Sequence, residues 1–176
     1  MTRSIEGLLA RIQHPPLKRM VALWHEKRAG RDWPLRRDFD PLEFGFAAGY
    51  VSLVDVQDKG SGGRRRLYFR LEGTKQVDLF GVDCTGKFLD QAAAPASART
   101  AEQSFAAAIE TGTPQYHARF VESSQRLVGY EIAVLPLSRG GDRIDMLMTV
   151  VVPNGCISPT ACAIARPASA TCSTCS

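Results

Sequence analysis

The chain has 176 residues, enough for one domain with a sizeable core and too few for two comfortable ones. At 44% hydrophobic and 23% charged it has the balance of a folded globular protein, which excludes a disordered or fibrous one. The formal charge of +4 comes without a basic tail, and no apolar run approaches the roughly 20 residues that span a bilayer, so neither nucleic acid nor membrane is the expected partner.

Residues 4–13 predict a short helix, with Ser4 as N-cap and Ile5, Leu8, Leu9 and Ile12 on one face. Arg11 and His14 come too soon for a signal-peptide hydrophobic region, and cytoplasm is the expected compartment. His14-Pro15-Pro16 breaks the helix. Pro16 is suited to open a second one, because a first turn does not need its missing N–H. Leu17, Met20, Val21 and Trp24 then fall at i, i+3, i+4 and i+7, an apolar stripe that must bury against something before Gly30 closes the helix. A homodimer through this stripe is one reading, and a cover for a sheet of the same chain is the other.

Residues 31–49 read as connection, with Trp33-Pro34 extended and Asp40-Pro41 opening a one- or two-turn helix through Phe44. Strands are expected at 50–57 and 64–72, joined by a glycine-rich turn over 58–63, as a hairpin with one buried face. Thr74 can cap a short helix carrying Val77, Leu79 and Phe80 and ended by Gly81. After an apolar step at Phe88-Leu89 and a connector at 92–96, a helix is expected from 98 to 111, capped by Ser97 and stopped by Gly112. Three strands follow at about 115–123, 127–138 and 143–152, the last two joined by a turn at 138–142. The tail from 153 onward, rich in Ala, Ser, Thr and Cys, has no usable periodicity. Five strands with the helices grouped between the second and third make an α+β fold, not a parallel α/β one. The organisation is N-terminal helices over 1–30, a domain over 31–152 and a disordered tail over 153–176.

Leu23-Trp24 through Trp33-Pro34-Leu35 and Asp38-Phe39-Asp40-Pro41 carry a resemblance that continues along the chain. It runs on through 51–56, 68–74 and 78–86, and ends in Leu135-Pro136-Leu137 and 144–147. Over roughly residues 20–150 the chain resembles a PAS family known mainly from alphaproteobacteria as single-domain proteins. That resemblance implies a five-stranded antiparallel sheet with short helices on one face, enclosing a pocket. It also implies a module that senses ligands or partners and, lacking an output domain of its own, acts by association with a signalling protein.

The residues favour a binding module over an enzyme. His14, His25 and His117 show no ligand-like spacing, and Gly60 to Gly63 is not followed by the helix a phosphate loop needs. The alternative is a small α+β enzyme working through a pocket carboxylate, for which Asp55 or Asp145 with a raised pKa would speak. Among cofactors of the resembled family, haem is disfavoured because residues 98–111 hold no histidine, and flavin because Cys84 precedes the glycine it should follow. No catalytic or metal-ligating residue is assigned, although Cys172 and Cys175 have metal or redox spacing in a tail without histidine. Phe69, Leu71, Leu79, Phe80, Phe88, Phe105 and Tyr130 are the expected residues of a small-molecule pocket between sheet and helices. Arg70 reads as the partner of an acid such as Asp40 or Asp55. The run Arg64-Arg65-Arg66 reads as a solvated strand edge rather than a phosphate contact.

Overall fold

The computed structural model describes residues 2–58, 65–92, 95–123 and 126–156. The glycine turn with Lys59 and Arg64 lies outside the described residues, as does the tail with Cys162, Cys172 and Cys175. Five strands, β1 (Val51–Gln57), β2 (Arg66–Leu71), β3 (Gln115–Ser123), β4 (Arg126–Leu137) and β5 (Met146–Cys156), form one antiparallel sheet in the order β2-β1-β5-β4-β3. This is the five-stranded α+β arrangement expected from the sequence. The last strand lies between the first and the fourth, so the sheet closes only when both halves of the chain are present.

Helices cover both faces. On one side lie α1 (Thr2–Arg11) and α2 (Pro15–Lys27); on the other lie α3 (Thr74–Phe80), α4 (Leu89–Ala92) and α5 (Pro95–Thr111). Alternation along the strands feeds two separate cores. Ala133, Leu135, Leu137, Met146, Met148 and Val150 pack with α1 and α2, whereas Tyr130, Ile132, Val134, Leu147 and Val151 pack with α3 to α5. Being central, β1 is buried on both faces through most of its length, which corrects the expectation of a first hairpin with a single buried face.

The stripe Leu17, Met20, Val21 and Trp24 is fully buried against the sheet of its own chain. The indole N–H of Trp24 donates to the carbonyl of Pro136 over 2.7 Å, which satisfies its one polar atom inside the core. The sheet edge at β2 is partly closed as well. Gly86 N–H donates to Phe69, Phe69 N–H donates to Lys87, and Phe88 bridges Tyr68, so this edge is not free to pair with another chain.

Some boundaries move, for identifiable reasons. The helix begins at Pro95 rather than after Ser97, since proline is tolerated in a first turn. Gly73, not Thr74, is the N-cap of α3, and added bulk there would collide with the carbonyl oxygen of Gly49 at 2.3 Å. The Asp40 cap is present: its carboxylate accepts from Leu42 N–H over 2.9 Å while Glu43 accepts from Asp40 N–H over 3.1 Å. That helix is a 3₁₀ one running from Pro41 to Ala47, longer than expected, with a kink at Phe44. β5 starts three residues later than expected because Asp145 is used in the turn, accepting from Arg139 N–H over 2.9 Å. It also runs on to Cys156, passing Pro153 where the register with β4 shifts.

A candidate ligand groove beside the edge strand

Between β2 and α5 the surface opens into a groove of about 510 Å³, within the range of small-ligand sites. Arg99, Glu102, Gln103, Ala106, Ile109 and Glu110 form one wall, and Arg65 and Leu67 the other. The helix wall is a single stripe, because these positions recur every three or four residues. A second stripe, Ala98, Ala101, Phe105 and Ala108, faces the core. Ala106 keeps the groove open by its smallness. Leu67 and Ile109 make a floor continuous with the helix-side core, while the charged groups stand at the rim.

None of the seven expected pocket residues lines this groove. Phe69, Leu79, Phe105 and Tyr130 are buried in the helix-side core, and Phe80 packs against it. The rings of Phe80 and Tyr130 meet edge-to-face at 5.4 Å. Phe88 meets Tyr68 edge-to-face at 5.2 Å under the guanidinium of Arg66. Leu71 is 49% exposed, because a register irregularity at Leu53/Val54 turns the end of β2 out of the core. Behind the aromatic cluster, Arg119 donates to the buried hydroxyl of Ser104. Burial raises the Tyr130 phenol, opposed by the neighbouring Arg119. The Arg119–Ser104 bond ties α5 to β3.

The groups considered for chemistry are engaged elsewhere. The Asp55 carboxylate, 5% exposed, is held by Arg70 Nε at 2.7 Å and by Arg139. Alternation with Val54 and Val56 puts it on the opposite face of the sheet from the groove. Arg70 is thus the structural ion pair its position on β2 suggested. Cys84 is buried, and burial, reinforced by the nearby Glu72 carboxyl, pushes its thiol up to about 12. His117 is held below its ordinary value by burial and by the charges of Arg119 and Arg11. Among the described residues no group of three or more His, Cys, Asp or Glu side chains is placed to hold a metal ion, and no helix is long and apolar enough to cross a membrane.

Sequence reasoning missed Glu131. It is 1% exposed on β4 and accepts the backbone N–H groups of Gln13 at 3.2 Å and His14 at 3.3 Å, where α1 gives way to α2. These donors precede the first turn of α2, where a negative charge is also favoured by the helix dipole. A glutamate alternating with apolar residues in a strand looks solvent-facing in sequence, so nothing there marked it.

A family model described as PAS domain matches residues 12–151, the greater part of the chain. Searches of curated proteins and of solved structures found no match.

Proposed function

The chain belongs to the PAS domain family, and from that premise we propose that it is a non-enzymatic sensory module of the cytoplasm whose ligand or signalling partner is read at the groove between β2 and α5. The observation that carries this reading is the groove itself. It is an opening with an apolar floor and a charged rim, between α5 and the start of the edge strand, beside the helix-side core. A ligand there would touch α5 and β2 together. Tightening that contact would shift α5 against β3, to which Arg119 and Ser104 tie it, and the far edge of the sheet would register the change. Of the two carboxylates the acid–base alternative named, Asp55 lies on the other face between two arginines and Asp145 accepts from Arg139 N–H in the turn before β5, and neither lines the groove.

The test is a thermal-shift screen of small polar metabolites against the native chain and an Ala106→Trp variant that fills the groove. Compounds that raise the native Tm by several degrees and leave the variant unmoved are expected. Hits that stabilise both proteins equally would remove the groove from the mechanism.

A further inference from the structure

Asp55 gathers two arginines from distant parts of the chain. Arg70 comes from the end of β2 and Arg139 from the turn between β4 and β5. Arg70 Nε donates to Oδ2 over 2.7 Å, and Arg139 Nη2 donates to Oδ1. The carboxylate is 5% exposed and the two arginine side chains 54% and 44%, so the acid lies beneath and the guanidinium heads reach solvent. A guanidinium carries five N–H donors. Each here uses one on Asp55, and the other donors of both heads have no partner among the described residues. The neighbouring acids are engaged elsewhere: Asp145 accepts from the backbone N–H of Arg139, and Asp58 pairs with Arg143 and Arg65.

One carboxylate between two cations leaves this trio with a surplus of one positive charge, two less one. Both heads hold the same carboxylate, which keeps them within roughly 8 Å of each other, two hydrogen bonds and the width of the acid. Like charges at that range repel, and an anion that touches both relieves the repulsion. We propose that Arg70 and Arg139, positioned by the buried Asp55, form a binding site for a phosphoryl group. Such a group fits better than a carboxylate because it brings three acceptor oxygens and up to two negative charges to two forks. Asp55 is the positioning residue: it orders both side chains before the anion arrives, so binding does not have to. The site lies on the face of the sheet opposite the groove and is independent of what the groove binds.

The probes are inorganic phosphate, a capped phosphoserine pentapeptide and its unphosphorylated form, titrated into the full native chain at constant ionic strength. Arginine Nε–H resonances in proton–nitrogen correlation spectra are the readout. Saturable shifts of the Arg70 and Arg139 resonances are expected with a phosphate probe and not with the unphosphorylated peptide. The tighter phosphate identifies a free or a protein-borne source. Arg70→Ala, Arg139→Ala and the charge-preserving Arg70→Lys are each expected to weaken binding about fivefold or more. Arg143→Ala, at the exposed Asp58 pair, is the control that leaves it unchanged. Asp55→Asn separates a built site from general attraction: it removes a negative charge yet is expected to weaken binding, because the heads lose their anchor. Circular dichroism checks that every variant folds. Tighter binding in Asp55→Asn would overturn the positioning role, and equal weakening by Arg143→Ala would reduce the site to a diffuse basic surface. No saturable shift with either phosphate would overturn the site itself.

Discussion

At the scale of single residues, the informative groups are buried acids, and each is handled differently. Asp55 is neutralised by two guanidinium groups that are themselves half exposed. Losing either arginine leaves the other in place, so Arg70→Ala or Arg139→Ala should each cost under about 1 kcal/mol. Losing both strands a buried carboxylate and should cost about 3 kcal/mol or more. A double-mutant cycle by urea denaturation reads the excess; simple additivity would mean the two pairs are independent surface contacts.

Glu72 is the opposite case. Burial raises its carboxyl above the ordinary value, against the opposing N–H of Cys84. The folded chain thus holds this proton to higher pH than the unfolded one. Its contribution favours folding below the ordinary carboxylate range and is lost as pH rises from there through the folded value. Glu72→Gln keeps an acceptor for Cys84 N–H and removes the ionisation. It should flatten the loss of stability as pH rises above the ordinary carboxylate range, relative to the native chain. An unchanged difference across that range would assign the slope to other groups.

At the scale of elements, α1 packs on the core through Ile5, Leu8, Leu9 and Ile12, and the turn that follows it is tied to the sheet by side chains of β3 and β4. The two backbone donors ahead of α2 have the Glu131 carboxylate as their partner, and the Tyr116 hydroxyl donates to the carbonyl of Arg11 beside it at 3.3 Å. Glu131→Ala removes the acceptor of those part-buried donors, a loss of about 1 kcal/mol. The loss should fall on α1 before the sheet, since α1 also lies outside the span matched by the family model. Limited trypsin digestion should cut the variant at Arg11 well before the native chain. Equal cutting rates would show that Ile5 and Ile12, not Glu131, hold the helix.

At the scale of the molecule, the sheet is the middle layer of three, and neither face can be left bare. A chain started at Arg31 would uncover Leu135, Leu137, Met148 and Val150 together, an apolar area far larger than isolated surface residues make. It should elute as aggregate or not be recovered, whereas a monomeric, folded truncate would show the N-terminal helices to be an accessory. The same layering answers the choice that the stripe on α2 left open. Leu17, Met20, Val21 and Trp24 are consumed inside the chain, so a homodimer through them would have to pull α2 off the sheet.

The sequence by itself determined the elements and their class. Period-two and period-3.6 apolar patterns, proline and glycine punctuation and the Asp40 cap are local signals, written within a few residues of where they act. It also carried the family resemblance and an ion pair for Arg70, with Asp40 and Asp55 both open as the acid until the structure placed Asp55 beside it on the neighbouring strand. Only the tertiary structure decided what depends on distant segments meeting. The insertion of β5 beside β1 buries both faces of β1, and α1 reaching β4 gives Glu131 its partners. The packing of α5 beside β2 turns a stripe of mixed charge into a groove, while the aromatic residues that suggested a pocket fill the core next to it. A helical stripe of Arg, Glu, Gln and Ala is indistinguishable in sequence from an ordinary solvated face. It becomes a site only because a second wall arrives from another part of the chain.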